Sequence, residues 1–260
     1  MQLLKMAKCY SKDTGLGEGV VVGNRGLDKL WVWLEQGDPS AIHEVRKLSR
    51  RVDAGLYVLG ASKKVRQSWK VLRRAAAPLR DWDVFAECVR DHLKKTSASV
   101  GVQERFEEAW GSERSRRYAY WVLPAQPAAL DTESLVQKLP KQRLDEMLHE
   151  EWAKLKRKAK RSLDSGYSPA WHEWRKRLKR FVHILEFRTE VPPALSLLLK
   201  ELGRLQDAQL VLDTLGSTDP LVLGLGSQDI DSLRTAQDRI LEHKVKNVVE
   251  LWSELKKEKW

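Results

Sequence analysis

His43-Glu44-Val45-Arg46-Lys47-Leu48-Ser49-Arg50-Arg51 is matched 129 residues later by His172-Glu173-Trp174-Arg175-Lys176-Arg177-Leu178-Lys179-Arg180. Six of the nine positions are identical or exchange one cation for another. At about 100° per residue, His43, Arg46, Lys47, Arg50 and Arg51 share one arc of a helix, and Ile42, Val45, Leu48, Val52, Leu56 and Leu59 share the opposite one. In the second copy His172, Arg175, Lys176, Lys179, Arg180 and His183 form the polar arc, with Trp174, Leu178, Phe181 and Leu185 opposite. Arg177 alone strays to the apolar side. Each helix can therefore bury one stripe and present a row of cations, almost free of acids, on the other. Downstream, Leu79-Arg80-Asp81-Trp82-Asp83-Val84 has its counterpart in Leu205-Gln206-Asp207-Ala208-Gln209-Leu210. Duplication on this scale divides the chain into two related halves.

The rest of the chain reads almost wholly helical, with apolar residues recurring at three and four and no sustained alternation of β-branched residues. Asp38-Pro39 and Ser168-Pro169 each place a capping side chain before a proline whose missing N–H costs nothing in the first turn. Glycine and proline clusters punctuate the helices at Gly15 to Gly26, Gly37 to Pro39, Pro124 to Pro127, Ser165 to Pro169, Pro192-Pro193 and Gly216 to Gly226. The uncharged stretch Tyr118 to Leu130 is the expected seam between the halves. Gly15-Leu16-Gly17-Glu18-Gly19 lacks the Lys-Ser/Thr ending of a phosphate loop and follows no strand, so a flexible loop is expected there.

The chain has 260 residues and a net charge of +11, and the positive charge is concentrated. Residues 43–51, 63–80 and 152–180 hold 22 of the 47 Lys and Arg but only 3 of the 36 Asp and Glu. The remainder is mildly acidic. Such segregation is an electrostatic footprint for a polyanion. The 11 tryptophans and 42% hydrophobic residues argue for a packed core rather than disorder. Cys9 and Cys88 read as free thiols in a reducing compartment. No uncharged run reaches the roughly 18 residues of a membrane span, and the first residues lack the apolar core of a signal peptide. A cytoplasmic protein without membrane contact is expected.

Cations repeated along one helix face repel unless something negative lies along them. Arginine offers a planar fork of donors to phosphate oxygens, lysine a mobile point charge, and histidine a donor that becomes cationic near neutral pH. A repeating phosphate chain matches such a row.

The duplicated His-x-x-Arg helices, with Leu-Arg-Asp-Trp-Asp-Val after the first, closely resemble the CHAD family, the conserved histidine α-helical domain. The resemblance covers roughly residues 19–258, with one repeat at about 19–122 and the other at about 139–258, and leaves residues 1–18 unassigned. It implies an all-α fold of two pseudo-symmetric four-helix-bundle repeats around a basic central groove or pore that binds inorganic polyphosphate, and with it an association with polyphosphate granules. Carried over by position, the ligand contacts are His43, Arg46, Arg50, Arg51, His172, Arg175, Lys179 and Arg180, and Arg80-Asp81 matches the family's Arg-Asp pair. Asp81 is expected to orient a neighbouring base. Lys47, Arg73, Arg157, Lys176 and His183 join the candidates because they lie on the same arcs or on neighbouring basic faces. In the second half Gln206-Asp207 stands where Arg-Asp is expected, and Arg204 is the candidate to replace the missing cation. Glu44 and Glu173 follow the histidines but point about 100° off the row, so they need not weaken it.

An RNA-binding helical module is the alternative, since phosphate neutralisation would drive that affinity too. No aromatic stacking platform interleaves with the row, however, and no helix-turn-helix or zinc spacing appears. An enzyme is not expected. His43-Glu44-Val45-Arg46 resembles the opening of a histidine-kinase phosphoacceptor helix, but nucleotide-binding glycine boxes are missing. His149-Glu150 lacks the second histidine of a His-Glu-x-x-His site, so neither metal nor cofactor is anticipated.

Overall fold

The computed structural model describes residues 16–128, 141–165 and 169–258, which form ten helices and no strand. In chain order these are α1 Leu16–Glu35, α2 Pro39–Val58, α3 Lys63–Ala75, α4 Ala77–Lys95 and α5 Val100–Ala119. There follow α6 Lys141–Asp164, α7 Pro169–Leu185, α8 Pro193–Ser217, the single turn α9 Pro220–Leu223, and α10 Ser227–Leu255. Among the described residues no helix is long and apolar enough to cross a membrane.

The two duplicated segments are α2 and α7. Asp38 caps α2, accepting a hydrogen bond from the Ala41 amide at 2.7 Å with Pro39 in the first turn. Asp38→Ala should cost about 1 kcal/mol of stability, measurable by denaturant titration. Pro169 opens α7; Ser168 lies outside the described residues. Ile42, Val45, Val52 and Leu56 of α2, and Trp174, Leu178, Phe181 and Leu185 of α7, are all buried, which is the apolar arc of each copy.

Three cores result. Leu27 and Leu34 of α1 pack with the apolar face of α2 and with Trp69 and Leu72 of α3. A second core joins α6, α7, α8 and α10 around Trp152, Trp174 and Trp252, whose rings pack with centroids 5.3 to 5.5 Å apart, and it takes in Ala54 and Val58 from α2. The third unites Trp82, Phe85 and Phe106 of α4 and α5 with Val211, Leu215 and Ile230 of α8 and α10. The two halves are thus joined through shared cores, by contacts of α2 with α7 and of α4 with α8. The buried tryptophans serve these cores.

Three expectations change. The glycine-rich stretch expected as a loop is helical from Leu16 onward, because the burial of Leu27 and Leu34 against α2 outweighs the helix cost of about 1 kcal/mol per glycine. Among the described residues the first half holds five helices rather than four, since the segment matching α8 is broken at Ala76, where Pro78 cannot continue the hydrogen-bond ladder. The expected seam is only partly a linker: α5 runs to Ala119, and Tyr118, Trp121 and Leu123 pack onto the first core, while Ala129 and Leu130 fall outside the described residues.

Candidate anion-binding site

The cationic arcs of α2 and α7 meet where these helices cross. Arg46, Arg50, Arg175 and Lys179 act on one another there, joined by Arg73 from α3. Burial, then the neighbouring Arg46, Arg73 and Arg175, pushes the Arg50 guanidinium down to about 9. Burial, followed by Arg175 and Arg50, pushes the Lys179 amine down to about 7. The Arg46 guanidinium is lowered too, chiefly by burial, against the pull of Asp81.

Two carboxylates temper this repulsion, one from each copy of the downstream motif. Asp81 lies 3.4 Å from Arg46 Nη1. Asp207 faces Arg175, Arg80 and Lys179; its carboxyl is raised by burial, against the pull of those cations. The duplication therefore recurs at the level of pairs: Arg46 with Asp81, Arg175 with Asp207. The histidines follow suit. His172 Nδ1 hydrogen-bonds Gln206 Oε1, and His43 is lowered first by burial and then by Arg80, which occupies the position matching Gln206. Arg80 itself forms two hydrogen bonds to Glu87, at 2.8 and 3.2 Å.

Each copy makes room for its arginine differently. In the first half Arg46 Nη1 donates at 3.5 Å to the Ala76 carbonyl between α3 and α4, an oxygen that also accepts from the Arg80 amide at 3.3 Å. In the second half α8 is continuous, and Gly203 provides the space: a Cβ there would stand 3.4 Å from Arg175 Nη2.

The outer members of the rows turn elsewhere. Lys47 lies 3.7 Å from Glu44 and is 63% exposed; Lys176 lies 2.7 Å from Glu173 and is 57% exposed. The expectation that Glu44 and Glu173 leave the row untouched is corrected, because residues three apart are neighbours on a helix. The rows are also less free of acids than they look along the chain, since Asp81, Asp207 and Glu186 arrive from elsewhere. Arg204 does not replace the missing cation: it binds Glu201 at 3.0 Å. Arg177, on the apolar side, is matched by the buried Glu151 at 2.7 Å. Arg157 stands exposed on α6.

Arg51 and Arg180, at matching positions, each cross to the other copy. Arg51 Nε lies 3.8 Å from Glu186, which His183 Nδ1 also approaches at 3.2 Å. Arg180 stacks on Tyr57, its guanidinium carbon 3.6 Å from the ring centre. Arg66 lies over the same ring at 4.9 Å and holds Asp53 at 2.9 Å, with Arg73 3.8 Å from Asp53. Asp53, Tyr57, Glu186 and Gly203 were not among the residues singled out from the sequence. Extending the 129-residue register would have paired Tyr57 with Glu186.

These features define an all-helical protein built around a duplicated cationic helix. The chain belongs to the CHAD family, whose domain matches residues 25–219. The fold is similar to that of PptA from Streptomyces chartreusis, with a TM-score of 0.64 at 13% identity, covering 92% of this chain and 98% of that one. No curated protein matches the sequence.

Proposed function

We propose that this protein binds inorganic polyphosphate at the cluster between α2 and α7, without turning it over. The observation that carries the proposal is the crowding of Arg46, Arg50, Arg175 and Lys179 from two helices, with Lys179 driven down to about 7 by burial and its cationic neighbours. A chain of phosphates would relieve that repulsion and take charge-assisted hydrogen bonds from both rows, releasing counterions as it does so. Membership of the CHAD family supports this ligand.

Binding alone is proposed because the cluster's carboxylates face cations: Asp81 engages Arg46, and Asp207 lies among Arg175, Arg80 and Lys179. In a cytoplasm that stores polyphosphate, such binding would bring the protein to the granules.

The test is a calorimetric titration with long-chain polyphosphate beside single-stranded RNA and duplex DNA, at matched phosphate concentration and about 150 mM salt. Submicromolar affinity for polyphosphate with far weaker nucleic-acid binding is expected; equal or tighter RNA binding would overturn the proposal. Gly203→Leu provides a check on geometry. The added side chain should push Arg175 aside and lower polyphosphate affinity while leaving the helical circular dichroism unchanged.

A further inference from the structure

The two sides of the α2/α7 crossing are made from matching positions but carry different chemistry. Arg51 and Tyr57 are six residues apart, about 240° around α2, so their contacts with α7 lie on different sides of that helix. On one side Arg51 meets a carboxylate, Glu186, which burial raises but His183, Arg51 and Lys47 pull below its ordinary value. On the other, Arg180 meets the Tyr57 ring, and Arg66, Lys70 and Arg73 of α3 gather beside it. Two carboxylates lie there, Asp53, shared by Arg66 and Arg73, and the buried Glu151, which Lys154 and Arg177 engage and which also pulls on Arg180, so the cations of this side outnumber its acids.

A polyanion longer than the cluster must leave it somewhere. Along the α3 side it would find Arg73, Lys70, Arg66 and Arg180 in continuity with Arg46 and Arg50, since Arg73 acts on both of those. Along the other side it would approach Glu186, and like charge repels. The Arg180–Tyr57 stack holds a guanidinium by its face, which leaves the N–H edge able to donate to phosphate.

Resting on the polyphosphate reading, we infer that a phosphate chain extends beyond the cluster on one side only, over a second binding segment formed by Arg66, Lys70, Arg73 and Arg180, and that Glu186 closes the other side. Chain length would then be recognised asymmetrically, through α3.

The test compares tripolyphosphate with long-chain polyphosphate on the full chain carrying Lys70→Gln, Lys70→Arg or Glu186→Gln. Lys70→Gln should lower long-chain affinity several-fold and reduce its logarithmic salt slope by about one, with tripolyphosphate affinity within twofold of the parent protein. Lys70→Arg should retain the long-chain affinity. Glu186→Gln should raise long-chain affinity by opening the second side. Equal losses for both ligands in Lys70→Gln, or a Glu186→Gln protein that binds long chains no better than the parent, would overturn the inference and leave polyphosphate binding intact. A parent protein that binds neither ligand would overturn both.

Discussion

Replacing Arg50 and Lys179 together by methionine is expected to lower polyphosphate affinity by at least about a hundredfold and, in the same protein, to raise the melting temperature without ligand. Each charge-assisted contact is worth about 1.5–3 kcal/mol, so the loss of two exceeds that factor. The gain in stability has a separate cause. Both cations are held low by burial and by each other's neighbours, Arg50 at about 9 and Lys179 at about 7, so charging them opposes folding. Methionine keeps an unbranched stem of similar length, and removing a poorly compensated buried charge stabilises on the order of 1–3 kcal/mol. Opposite signs for binding and stability distinguish a ligand site from a structural ion-pair network, in which both would fall. Thermal melting and calorimetry on the same samples decide it; a double variant that melts lower than the parent contradicts the account.

Polyphosphate binding is expected to take up protons above neutral pH. In the free protein Lys179 titrates at about 7, against about 10.4 for an unfolded chain. Between those values the unfolded state holds a proton that the folded state lacks, so the free protein gains stability as pH rises through this window, by at most about 1.4 kcal/mol per pH unit. Below about 7 the full cost of burying the ammonium group beside Arg175, Arg50 and Arg46, with Asp207 opposing, is present. A phosphate chain restores the charged form. Affinity should therefore decline as pH rises from about 7 to 9, and Lys179→Met should flatten that decline. Calorimetry in two buffers of different protonation enthalpy measures the uptake directly. Identical apparent enthalpies at pH 8 would show that Lys179 does not change its protonation on binding.

The arcs of α2 and α7 were legible because a helix sorts residues by angle alone, and the cap at Asp38-Pro39 because it is a local matter of backbone geometry. Packing between distant segments was not. The glycines of α1 look like a loop until Leu27 and Leu34 are seen to be buried against α2. The break at Ala76, beside Arg46, depends on where Pro78 falls within a turn. Arg204 lies close to Gln206 in sequence yet projects toward Glu201, because its angle on α8 differs by about 200°. The acids that temper the cluster come from α4, α8 and the end of α7, and reading along α2 and α7 alone leaves Asp81 and Asp207 out of the charge balance.

The most direct measurement is a crystal structure of the protein with long-chain polyphosphate. The account predicts phosphate oxygens within hydrogen-bonding distance of Arg46, Arg50, Arg175 and Lys179, with the chain spanning α2 and α7. Phosphates ordered on the exposed cations of α6, around Arg157, with the cluster free of them would contradict it.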